Sequence, residues 1–268
     1  MPNSNTKKTE GMLLIIDRQN ATGLKHWADE LTKRNMPACV AIEKVMADQY
    51  GSLIGEISGR GFEVYGMYNE RPFWNEPYQF QYVQIRIVKD KIESRTGRLM
   101  RVFGSKYFAY DENTLKTAEA LGLKYVFARG PAGTKAVLYK PEEYDVQILA
   151  VSNVPATTRE MGTGSLCDES LRSRGETPEG FKGILFSVKE ERIILVAQTH
   201  ISGVKLHWWN AYQDFLNENT VNWNSLDEFT RNPLVLPNSQ IPINTEVKYM
   251  EPHPRMPLEQ ELDYPFEV

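Results

Sequence analysis

The stretch that decides the fold is "GFEVYGMYNERPFWN", residues 61–75. Its first half is a short β-type run: Phe62, Val64 and Gly66 alternate with Glu63, Tyr65 and Met67, the period of two that a strand requires. Its second half changes character. Met67 and Arg71 stand four residues apart, and Pro72, Phe73 and Trp74 follow. The ends of parallel strands carry the chemistry of α/β proteins, so these residues fall where a functional site is expected.

The same rhythm runs outward on both sides. Before it stand the strand "MLLIID" (12–17), a helix at 22–35 with Leu24, Trp27, Ala28 and Leu31 on one face, the strand "ACVAI" (38–42) and a helix at 45–59. After it come a helix at 81–95 stopped by Gly97, the strand "LMRVF" (99–103), a helix at 112–122 with Asp111 as N-cap, and "KYVFAR" (124–129). Further strands are expected at 144–152 and 192–198, and further helices at 178–191 and 205–218. Adjacent Trp208 and Trp209 cannot share one face of the last helix, so one is expected buried and the other free.

Strand-then-helix alternation predicts an α/β fold with a parallel sheet and outer helices. About seven strand signals approach barrel arithmetic, so the expectation is a single-domain distorted (β/α) barrel over residues 12–231. Residues 1–11 read as a disordered or loosely packed N-terminus, and 232–268 as a Pro-rich extension packed on the barrel. "GPAGTK" (130–135) lacks the spacing of a phosphate loop and reads as a turn. The polar insertion 157–177 reads as a cover for a site.

Composition narrows the function classes. The 31 basic and 35 acidic residues give a net charge of −4, with no general pull toward nucleic acid. The longest apolar runs are far too short to span a bilayer. The polar start "MPNSNTKKTEG" carries no signal-peptide pattern and the two cysteines imply no disulfide framework, so a cytoplasmic location is expected. Composition leaves the oligomeric state open.

The order of elements resembles the polysaccharide deacetylases, the NodB-homology proteins of carbohydrate esterase family 4. "LIIDRQ", "KRNMPACVAI" and "ISGRGFEVYGMYNERP" are similar to that family's first motif, second strand and metal motif. "SRTGRLMRVFGSKYFAYDENTLKTAEALGLKYVFARG" and "IILVAQTH" are similar to its later segments. The resemblance implies a NodB-like barrel and a catalytic base at Asp17. It also places the family's three metal ligands, one Asp and two His, at Arg18, Met67 and Arg71. A guanidinium has five donors, no acceptor and a fixed positive charge. A metal that needs a carboxylate and two neutral imidazoles is therefore not expected here, nor is any other cofactor.

The resulting expectation is a carbohydrate-related or anion-binding pseudoenzyme, or a hydrolase of an amide or ester on a sugar that works without metal. For residual catalysis the acid/base pair is Asp17 and His200. For binding, Arg18, Met67, Arg71, Trp74, Arg101 and Tyr110 line the site: the arginines suit an anionic group and the aromatics suit a ring. The competing reading of Asp17 is a structural ion pair with Arg18 or Arg71. Cys167 and Asp168 form a weak nucleophile pair in an exposed loop. "LLIIDRQN" also resembles the opening of NYN/PIN-like metal-dependent nucleases. A subunit that meets a partner protein through surface aromatics is the third alternative.

Overall fold

The computed structural model describes residues 8–130, 135–157, 162–218 and 220–242. The expected N-terminal segment through residue 7, the turn at 131–134, part of the insertion and the extension beyond 242 lie outside the described residues.

Seven parallel strands form the body of the sheet. They are β1 (Thr9–Ile16), β2 (Cys39–Glu43), β3 (Glu63–Tyr68), β4 (Val102–Ser105), β5 (Tyr125–Arg129), β7 (Gln147–Val151) and β10 (Arg192–Gln198). Their spatial order is β10-β1-β2-β3-β4-β5-β7. Beyond β7 the antiparallel β6 (Val137–Pro141) is followed by β12 (Leu234–Leu236), and β11 (Val221–Trp223) adds to β1. A separate hairpin joins β8 (Asn153–Pro155) and β9 (Thr163–Ser165).

The sheet curls into a half-barrel, and the alternation of its strands sorts the side chains into two cores. Met12, Leu14, Ile16, Tyr65, Met67, Phe127, Ile194 and Val196 pack inside the curl. Leu13, Ile15, Val40, Val64 and Leu195 pack outward, against the helices. Those helices are α1 (Ala21–Lys33), α2 (Lys44–Gln49), α3 (Gly51–Gly59), α4 (Tyr78–Thr96), α5 (Glu112–Ala120), α7 (Pro178–Ser187) and α8 (Leu206–Asn217). β10 and β7 are not paired with each other. The chain at Leu166 laces them: its N–H donates to Ser152 O at 2.9 Å and its carbonyl accepts from Val196 N–H at 2.9 Å. It leads into α6 (Asp168–Arg172). The N-terminal end of the curl is stopped by α9 (Leu226–Phe229), whose Leu226 and Phe229 enter the inner core.

Gly66 shows why the opening stretch needs its composition. A β-carbon there would lie 2.7 Å from both Met100 Sδ and Val88 Cγ1, so its absence lets α4 lie close on β3.

Several expectations need correction. β1 starts at Thr9, inside the segment read as loose. The helix at 45–59 is two helices meeting at Tyr50. β4 starts three residues later than "LMRVF" suggests, and β6 is a strand outside the expected set. Trp208 and Trp209 are both buried, because α8 is covered on two sides: Trp208 meets Phe181 at 5.5 Å and Trp209 meets Trp27 at 5.0 Å. Cys167 is no exposed loop residue but part of the inner core. No helix among the described residues is long and apolar enough to cross a membrane.

Candidate functional site

The C-terminal ends of β1, β2, β3 and β10 meet at one mouth of the curl. Asp17, the first polar residue after the apolar run of β1, is fully buried there. Its Oδ1 accepts from Thr199 Oγ1 at 2.5 Å and from the Asn20 N–H at 3.1 Å. Asn20 in turn caps α1 by accepting from the Gly23 N–H at 2.7 Å. The other carboxylate oxygen, Oδ2, is buried without a hydrogen-bond partner. Burial raises the Asp17 pKa to about 6, the Thr199 and backbone bonds oppose the rise, and the charge of Glu43 adds to it. A carboxyl with this value can hold or release a proton near neutral pH.

Arg18 does not pair with Asp17. Its Nε lies 4.0 Å from Glu43 Oε1 and its Nη1 3.8 Å from Glu169 Oε2. Glu43 ends β2 and also accepts from Asn69 Nδ2 at 2.6 Å. His200 Nε2 lies 3.6 Å from the same Glu169 oxygen, so Arg18 and His200 share one carboxylate. The His200 Nδ1 is buried and unpartnered. Burial lowers the imidazole pKa; Glu169 opposes this, while Arg18 reinforces it. The structure thus brings Asp17, Arg18 and His200 together.

The turn that carries His200 hangs on a residue whose role the sequence did not reveal. Asp168, fully buried at the start of α6, accepts from the Gln198 N–H at 3.1 Å, the Ser202 N–H at 3.3 Å and Ser202 Oγ at 2.6 Å. Burial raises its pKa to about 6 against these bonds. Its neighbour Cys167 donates to it at 3.3 Å, and burial pushes that thiol far up, the opposite of an activated nucleophile. Gly23 seals the turn from the other side: a β-carbon there would lie 2.2 Å from Thr199 O.

The remaining candidates are dispersed. Met67 points into the curl, 4% exposed. Arg71 lies outside it, with its Nε 3.1 Å from Glu76 and its guanidinium 4.1 Å above the Phe80 ring. Tyr110 is buried and donates to Pro242 O at 2.7 Å; burial raises its pKa. Trp74 lies beside Tyr107 on the rim, the two rings nearly parallel. Arg101 is a correction. It precedes β4 and so sits at the opposite end of the curl, bonded to Glu63 at 2.6 Å and Asp227 at 2.6 Å. A shallow hollow lined by Glu43, Lys44, Met67, Asn69 and Glu70 opens between the ends of β2 and β3.

These residues do not fit a divalent metal. Arg18 places a fixed positive charge at the mouth, Met67 offers a buried thioether, and Arg71 is turned away onto Phe80. Among the described residues, no group of three or more His, Cys, Asp or Glu side chains is placed to hold a metal ion.

Residues 4–126 match the family model of polysaccharide deacetylase. No curated protein matches the chain at a significant level. Among solved structures, the chain is similar to a putative polysaccharide deacetylase from Mycobacterium smegmatis, at 12% identity and TM-score 0.65, over 87% of this chain and 95% of that one. It is also similar to a family 4 carbohydrate esterase pseudoenzyme from Bacillus anthracis, at 11% identity and TM-score 0.57, over 85% and 67% of the two chains. A mutant of that pseudoenzyme with restored enzymatic activity aligns at 12% identity and TM-score 0.60, over 85% and 70%. With the curled parallel sheet and outer helices, the family match and these neighbours support homology of this chain to the NodB-like polysaccharide deacetylases of carbohydrate esterase family 4.

Proposed function

We propose that this chain is a polysaccharide-deacetylase-like protein that has lost the family's divalent metal site and binds carbohydrate as a pseudoenzyme. One observation carries the reading: the three positions where the family resemblance puts metal ligands hold Arg18, Met67 and Arg71, none suited to the metal. The existence of a family 4 pseudoenzyme with a similar fold supports it. Arg18 and Arg71 have separate partners, and Glu43, Glu70 and Glu169 stand near the mouth. This favours a neutral sugar over an anionic ligand. Two buried free cysteines fit a reducing, cytoplasmic compartment.

A second reading, hydrolysis of an ester or amide on a sugar without metal, is favoured by two unpartnered buried atoms in one cluster, Asp17 Oδ2 and His200 Nδ1. The NYN/PIN-like alternative needs gathered carboxylates for magnesium, and the described residues hold no such group. The deciding experiment incubates the protein with N-acetylated chito-oligosaccharides, with and without zinc or cobalt. It follows acetate release and, by calorimetry, binding. Saturable binding with no acetate in either condition is expected. Metal-stimulated acetate release that Asp17→Ala abolishes would overturn the proposal.

A further inference from the structure

The rim beside the mouth carries two aromatic residues that are not buried in the core, Trp74 and Tyr107, with Lys106 Nζ 5.5 Å from the Tyr107 ring. Trp74 follows Phe73, which is locked in a cluster with Tyr68 at 5.1 Å and Phe103 at 5.5 Å. That anchor fixes the backbone from which Trp74 projects. Tyr107 follows β4 in the left-handed region, at φ 60° and ψ 15°, and Phe108 is also left-handed at φ 55°. Residues with a β-carbon adopt this conformation only at a cost, and single instances cluster at functional sites. Phe108 has a core reason for it, since its ring is buried 6.3 Å from Phe127 inside the curl. The Tyr107 ring is outside that core and stays 39% exposed.

The two rings lie within 18° of parallel, their centroids 6.5 Å apart. Near-parallel rings on one rim present faces of the same orientation, and an aromatic face with its negative quadrupole suits the C–H face of a pyranose. Trp74 Nε1 is buried without a hydrogen-bond partner, so the donor of this ring is unused. Trp74 follows β3 and Tyr107 follows β4, two and three strands from Asp17 at the end of β1. At ~4.8 Å per strand the separation is roughly 10–14 Å along the curl. A single sugar ring cannot reach from one to the other.

We infer that Trp74 and Tyr107 form a stacking platform for one pyranose ring of an oligosaccharide whose neighbouring units extend toward the Asp17 mouth, so that the ligand is an oligomer and not a monosaccharide. This rests on the carbohydrate-binding reading above. The test titrates N-acetylglucosamine and its β-1,4-linked pentamer into the wild type, Trp74→Ala and Tyr107→Gly by calorimetry. The wild type should bind the pentamer at least about tenfold more tightly than the monomer, and each variant should lose about tenfold or more for the pentamer. Glycine accepts the left-handed conformation readily, so the thermal midpoint of Tyr107→Gly should not fall. That separates a lost platform from a damaged fold. Pentamer binding unchanged in both variants, or monomer and pentamer binding equally, overturns the platform while leaving the carbohydrate reading intact. A wild type that binds neither sugar overturns both.

Discussion

Replacing Asp17 by Asn should stabilise the protein at neutral pH and leave it nearly unchanged in acid. In the folded chain the Asp17 pKa is raised from 3.8 to about 6, chiefly by burial. A raised carboxyl favours folding below the unfolded-state value, and this contribution is lost as the pH climbs from about 4 through about 6. At ~1.36 kcal/mol per pH unit, ionised Asp17 costs the fold about 3 kcal/mol at pH 7.5. Asparagine keeps an acceptor for Thr199 Oγ1 and the Asn20 N–H, and it never ionises. Its amide nitrogen replaces an oxygen that has no partner. For a chain of this size the gain corresponds to roughly 6 °C in the thermal midpoint. Calorimetric scans of both proteins from pH 4 to 8 should show a difference that opens between pH 4 and 6.5 and then levels off. A difference independent of pH, or a variant less stable than the wild type at pH 7.5, would refute the assignment of Asp17 as a buried acid whose ionisation costs the fold stability.

Three further outcomes are expected. Asp168→Ala strands the N–H groups of Gln198 and Ser202 in the core; it should cost about 2–4 kcal/mol by chemical denaturation, and a smaller loss would deny that this carboxylate holds the His200 turn. Arg101→Ala, at the far end of the curl, should cost at most about 1 kcal/mol and leave oligosaccharide affinity unchanged; weakened binding would put Arg101 back among the ligand contacts. Combining Arg18→Asp, Met67→His and Arg71→His should create a zinc site. At a zinc concentration a hundred times Kd the stabilisation is about 2.7 kcal/mol, roughly 5 °C, and the wild type should show none. A triple variant indifferent to zinc would break the equivalence of these three positions with the family's ligands.

The parallel strands were legible because each buries both faces and so reads as a short apolar run; "RIILVAQ" became β10 without adjustment. The boundaries of β4 were not. Leu99 and Met100 look like strand residues, but Val102 is the residue that pairs with Tyr125, and pairing sets where a strand begins. Arg101, the middle residue of "LMRVF", therefore precedes the strand and lies at the end opposite the mouth. β6 gives no such run, because Lys140 and Pro141 occupy two of its five positions. Asp17 stood out as the polar residue ending an apolar run. Asp168 did not, because what defines it are amides 30 and 34 residues away. Glu43 and Glu169 acquire meaning only through Arg18 and His200, whose partners no spacing reveals.

The pairing of β1 with β10 joins the start of the chain to residues about 180 positions later, as with Glu10 and Arg192. During synthesis at ~5–20 residues per second, β1 would wait roughly 9–36 seconds for that neighbour. β2 and β3 can meanwhile add to its other side in sequence order. One flank of Met12 to Ile16 stays open throughout this interval, an apolar edge of the kind that recruits foreign strands. Thr199, whose hydroxyl donates to the Asp17 carboxylate, arrives only with the closing strand. The mouth therefore forms only once that strand has been made, and a chain stalled before residue 192 would lack both Thr199 and His200.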